Sequence, residues 1–165
     1  MVLKDVEQYP AWMSYCEEAT VLRDLGHGST LVRYVQDMPW PVSDRDVVFR
    51  ADVKFLPDAG RMDVSLTSVA DSGVPPAEGY VRMAGFEGRM ELACLGPGRS
   101  RVRFTMWADP AGSLPAMAVN AGAADVPYET LLGLMEMARR EKYIREGASP
   151  RAKALFKACA GTEER

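Results

Sequence analysis

The chain has 165 residues, 47% of them apolar and 26% charged, and a net charge of −3. This length and balance suit one folded domain with a single core and argue against disorder. No cluster of basic residues is available to meet phosphates, so nucleic acid is not expected as a partner.

Cys16, Cys94 and Cys159 are scattered and odd in number, so neither a disulfide framework nor a zinc knuckle is expected. A reducing, cytoplasmic setting is the simpler one. The opening MVLKDVEQYP carries acids where a signal peptide would be apolar. The longest run without a charge, between Asp109 and Asp125, is too short to span a bilayer.

Val2, Leu3, Val6 and Tyr9 fall at roughly helical spacing until Pro10 breaks the pattern. The period then changes. Thr20–Leu25 reads as a strand, Gly26-His27-Gly28 as its turn, and Thr30–Gln36 as the next strand. Pro39-Trp40-Pro41 makes a stiff corner. Beyond it, Val47, Phe49, Ala51, Val53 and Phe55 alternate with Arg50, Asp52 and Lys54, the mark of a half-buried antiparallel strand.

After the turn at residues 57–60, Met62, Val64 and Leu66 alternate with Arg61, Asp63 and Ser65. Tyr80–Phe86 and Arg89–Leu95 are expected to form a hairpin around Glu87-Gly88. Gly96-Pro97-Gly98 leads into Arg101–Trp107, where Val102, Phe104 and Met106 share one face. Six or seven strands joined by short turns make a meander, and its apolar face needs a cover. The cover is a helix expected over Ala116–Glu141, kinked at Pro127 and rich in small residues in its first half. The fold class is thus α+β, a curved antiparallel sheet wrapped around a long C-terminal helix. Residues 1–141 read as the domain and 142–165 as a charged tail with scope for a short helix at Ala152–Ala158.

Few residues suggest chemistry. His27, the single histidine, sits between two glycines and reads as a solvent-exposed turn residue. Histidine-based metal sites need more than one such ligand, and phosphate-cradling and nucleophile-elbow motifs are absent, so neither metal nor cofactor is expected. Arg45-Asp46 reads as an ion pair or hydrogen-bond bracket that pins the corner, with a polar anchor at a pocket mouth as the alternative. Ten methionines suit core filling, and together they suit an adaptable wall for an apolar ligand.

Three segments resemble the START (StAR-related lipid transfer) family. They are PWPVSDRDVVFRADV (39–53), TSVADSGVPPAEGYVRM (67–83) and DPAGSLPAMAVNAGAADVPYETLLGL (109–134), and the resemblance extends over roughly residues 9–138. It implies a helix-grip fold with a lipid or sterol between sheet and helix. Bet v 1-like binders and polyketide cyclase/dehydrase enzymes share that architecture, so fold alone does not fix function.

The resemblance also implies two departures. Family members begin with a strand that lies beside the one here at Arg101–Asp109, and no counterpart precedes VEQYPAWM. That edge is then open to a homodimer or a strand swap. Cholesterol-binding members carry a buried acid and arginine. Ungapped counting places these near Val32 and Ala51, both uncharged, which implies a more purely apolar ligand.

The leading expectation is binding or transfer of a hydrophobic ligand, with at most transient membrane-surface contact. The wall is expected to include Phe49, Val53, Val64, Leu66, Leu92, Phe104, Met106, Val119, Ala123, Val126 and Leu131. The alternative is a cyclase/dehydrase-like enzyme, for which Tyr34, Arg82 and Glu91 are the candidate polar groups.

Overall fold

The computed structural model describes residues 1–147 apart from 77, 97, 98, 113 and 115, and leaves the side chains of 116–124 outside the described set. Among the described residues seven strands run in chain order: β1 Cys16–Gly26, β2 Ser29–Gln36, β3 Arg45–Leu56, β4 Arg61–Ser68, β5 Val81–Arg82, β6 Gly85–Gly96 and β7 Arg99–Asp109. Helices α1 Ala116–Ala138 and α2 Glu141–Gly147 follow. The six long strands form one antiparallel sheet in the order β1-β2-β3-β4-β6-β7, and β5 pairs parallel with the start of β3. The α+β class and the meander are as the alternating pattern predicts.

The register turns that alternation into a continuous surface. Val53, Val64, Met90 and Phe104 stand on one cross-strand row, and Phe55, Met62, Leu92 and Val102 on the next. Ala51, Leu66, Gly88 and Met106 form a third row. Side chains alternate faces along a strand, so these rows share one side. The other side carries Asp63, Glu91 and Arg103 in register, with Arg89 bonded to Glu91 at 3.1 Å.

The apolar side is covered from both ends of the chain. Two 3₁₀ turns, Val2–Lys4 and Val6–Ala11, bury Val2, Leu3, Val6 and Tyr9. The spacing of these residues suggests a helix that Pro10 would end. Instead Pro10 lies inside the second of two tighter turns. From the C-terminal side, Leu134 and Met137 of α1 and Tyr143 of α2 join the same core. Tyr143 donates to Asp5 at 2.7 Å, and Lys142 pairs with the same carboxylate. The start of what reads as a charged tail is therefore fastened to the first residues of the chain. Ala152–Ala158 lies outside the described residues.

Three expectations are corrected. There is no hairpin at Glu87-Gly88, because β6 runs unbroken through it. Gly88 is a packing position: a Cβ there would come within 3.1 Å of Leu66 Cδ1, so the Leu66 side chain occupies that space. The long helix ends at Ala138 rather than Glu141, and α2 restarts after two residues. Cys94 is disulfide-bonded, whereas the scattered cysteines suggest isolated thiols.

Candidate functional site

Among the described residues, two spaces border the concave side of the sheet. One lies beneath α1. Tyr34, Val47 and Phe49 form its floor, Phe86, Phe104, Met106 and Ala108 one wall, and Val126 and Thr130 of α1 its roof. Met13, Ser14, Gln36 and Met83 close the ends. Its volume is about 30 Å³, room for roughly two waters and far below the hundreds of Å³ of a typical ligand pocket.

The other space lies at the β1–β2 turn, between the N-terminal 3₁₀ segment and strands β1 to β3. It measures about 380 Å³ and is lined by Leu3, Val6, Tyr9, Val21, Thr30, Ala51 and Val53, with Lys4, Asp24 and His27 at its edge. His27 is exposed in this turn, with φ of 51° between two glycines of positive φ. Gly28 is required there, since a Cβ would sit 2.7 Å from the Val53 carbonyl oxygen.

The roof is built by helical periodicity. Val126, Thr130, Leu134 and Met137 follow one another by four, four and three residues, and the last three are buried. Gly133 completes this face by close approach: a Cβ on it would fall 2.1 Å from the Trp12 carbonyl oxygen. Next to that contact, Ser14 N donates to Thr130 Oγ1 at 3.2 Å and Ser14 Oγ donates to Glu129 Oε2 at 2.6 Å.

Of the residues expected in the wall, Phe49, Phe104, Met106 and Val126 line the space beneath α1, and Val53 lines the other. Val64, Leu66 and Leu92 lie on the same concave face within the core. Leu131 is half-buried and lines neither space, and Thr130 stands where it was expected. The side chains of Val119 and Ala123 lie outside the described residues.

Among the polar candidates, only Tyr34 faces the space. Its hydroxyl lies 3.4 Å from the Ser14 carbonyl oxygen, and burial, reinforced by Cys16, raises its pKa well above the usual phenol value. It stays protonated at neutral pH. Glu91 lies on the opposite face between Arg89 and Arg103. Arg82 is committed to Asp46.

The lining beneath α1 thus carries no carboxylate, histidine or amine among the described residues. Residues missed in the sequence are Met13, Ser14, Gln36, Val47, Met83, Phe86, Ala108 and Thr130. Gln36 and Val47 follow from strand parity with Tyr34 and Phe49. Thr130 follows from a four-residue step after Val126. Met13 and Ser14 carry no such periodic signal.

Arg45 holds the approach to α1. Its guanidinium donates to the carbonyl oxygens of Ser43, Pro110 at 3.2 Å and Ala111 at 3.3 Å, and the residue is 3% exposed. The bracket therefore reaches beyond the corner to the segment leading into the helix.

The START domain family model matches residues 1–126, which include the whole sheet and the first part of α1. The chain belongs to the START domain family. A STAR-related lipid transfer protein from Xanthomonas axonopodis is 27% identical, with a TM-score of 0.73 over 84% of this chain and 76% of that one. Human STARD10 shares the fold with a TM-score of 0.76 over 97% of this START chain and 65% of its own, at 20% identity. An uncharacterised protein of Pseudomonas aeruginosa is 28% identical over 137 residues. The matched part is 83% of the START chain but just 66% of that relative's length. No described helix is long and apolar enough to cross a membrane.

Proposed function

We propose that this START chain binds and transfers a hydrophobic, lipid-like molecule held between the concave face of the sheet and α1. The observation that carries the proposal is the run of apolar cross-strand rows from β3 to β7 facing a roof whose described residues, Val126 and Thr130, carry no ionised group. Such a surface rewards removal of hydrocarbon from water, at ~25 cal/mol per Å² before ordering costs. Among the described residues its lining holds no charged partner for a charged head group. The ligand's apolar part therefore belongs beneath α1, and any polar end belongs toward Lys4, Asp24 and His27 at the wider space. On the same reading, the Arg101–Asp109 edge is available to a second copy as a homodimer or strand swap.

Native mass spectrometry of the purified chain, followed by organic extraction, tests the ligand reading. A co-purified acyl lipid, displaced by a fluorescent fatty-acyl probe, is the expected result. Neither adduct nor probe uptake would overturn it.

A further inference from the structure

The described lining of the space beneath α1 is apolar except at one corner. Ser14, Tyr34 and Thr130 meet there, and Gln36 stands two residues along the same face of β2. Tyr34 is 7% exposed and Thr130 1%. The Tyr34 hydroxyl has poor partners. Its contact with the Ser14 carbonyl oxygen, at 3.4 Å, is longer than a good O–H···O bond, and the Cys16 thiol beside it is a weak one. Among the described residues no other donor reaches that carbonyl, and the Gln36 carboxamide makes no hydrogen bond. Arg45 stands opposite Gln36 in register, but its guanidinium is given to the carbonyl oxygens of Ser43, Pro110 and Ala111.

We propose that the guest is a hydroxylated acyl chain whose hydroxyl lies in this corner, accepting from Tyr34 and donating to the Ser14 carbonyl or the Gln36 carboxamide oxygen. The inference rests on the reading that a lipid-like chain lies beneath α1. A plain hydrocarbon pressed against the corner would leave its polar groups buried and unmatched, which costs affinity. A carboxylate would be buried there without a cation among the described lining residues. A keto oxygen would accept from Tyr34 but return no proton to the carbonyl that Tyr34 gives up. A hydroxyl does both.

The strand also sets where on the chain the hydroxyl sits. Thr30 lines the wider space and Tyr34 the space beneath α1, both on β2 and four residues apart. That is roughly 13 Å along a strand. An extended covalent chain advances roughly 1.2 Å per bond. With its polar end toward Lys4 and His27, the guest brings to Tyr34 a carbon about eleven bonds away. A hydroxyl next to the carboxyl group would stay in the wider space.

Competition against the fluorescent fatty-acyl probe, on the full chain, tests the inference. The competitors are octadecanoic, 12-hydroxyoctadecanoic and 2-hydroxyoctadecanoic acids. The 12-hydroxy acid should displace the probe at roughly three- to tenfold lower concentration than the other two. Tyr34→Phe removes one oxygen and keeps the ring, and it should make the 12-hydroxy acid and octadecanoic acid equal competitors. Thermal melting checks that this variant folds. The comparison of the three acids on the unaltered chain decides the matter even where it does not.

Equal displacement by all three acids overturns the hydroxyl assignment and leaves the lipid reading standing. So does a 2-hydroxy acid as effective as the 12-hydroxy acid. A preference that survives Tyr34→Phe, or a variant that weakens every acid by the same factor, overturns the role given to Tyr34. No uptake of the probe at all overturns the lipid reading and this inference with it.

Discussion

Arg82 sets its Nε 2.8 Å and its Nη2 2.9 Å from the two carboxylate oxygens of Asp46, a residue with no exposed surface. Arg33 Nε lies 3.6 Å from the same carboxylate. Backbone bonds run alongside, from Met83 N to Asp46 O and from Val81 N to Asp44 O, both at 2.9 Å. The pair thus fastens two-residue β5 to the start of β3, which backbone bonds alone would hold weakly. Removing one member of a buried pair leaves the other charge uncompensated. Asp46→Ala should cost about 3–5 kcal/mol in urea or thermal denaturation. Arg82→Lys, which keeps the charge and loses the fork, should cost less than Arg82→Ala.

Gly133 tests the close approach of α1. Glycine to alanine within a helix ordinarily gains up to about 1 kcal/mol. Here the new methyl would overlap the Trp12 carbonyl oxygen. Gly133→Ala should therefore destabilise by about 1–3 kcal/mol, against the propensity trend. An unchanged or raised melting temperature would contradict that packing.

Val126 tests the cavity. Val126→Trp places a large ring in the space beneath α1 from a half-buried helix position. Uptake of the fatty-acyl probe should fall about tenfold or more, consistent with a loss of over 1.4 kcal/mol of binding. Circular dichroism should show the fold unchanged.

Asp5 sets an acid limit. Its carboxyl is held below its ordinary value of 3.8, chiefly by the Lys142 ammonium and then by the Tyr143 hydroxyl. A depressed carboxyl stabilises the fold fully above its unfolded pKa and loses that contribution as pH falls through the folded one. Melting temperature should thus decline below about pH 4. Asp5→Asn should flatten that limb and lower the plateau at neutral pH.

Cys16 reports on opening. Burial raises its thiol to about 12 from an ordinary 9.0. A thiol reagent should leave it untouched near neutral pH and label it in denaturant. The shift also adds stability that is present below pH 9 and fades as pH rises toward 12. Rapid labelling of the native chain would contradict its burial.

The sheet was legible because one face of each strand touches the core, and alternation is the direct imprint of that contact. Val47 to Phe55 shows it most clearly. The breaks in legibility have equally local causes. Gly88 looks like a turn residue, yet its missing side chain serves Leu66 across the sheet. Thr130 looks like a surface residue, yet its hydroxyl accepts from Ser14 and lets it be buried. Gly133 matters through a backbone atom more than a hundred residues away, which no local pattern records. Arg82 and Glu91 interrupt apolar stretches, but parity sends Glu91 to the far face and Asp46 claims Arg82.

The small space beneath α1 has a kinetic corollary. A space of about 30 Å³ is too small for an acyl chain as it stands. On the proposed reading, a guest is admitted only by the fraction of molecules whose cover is displaced. Measured affinity is then the affinity of that opened form multiplied by its population. Capture would level off at the opening rate as ligand concentration rises. Loosening the contacts of Arg45 with Pro110 and Ala111 would raise the ceiling without touching the wall that holds the guest.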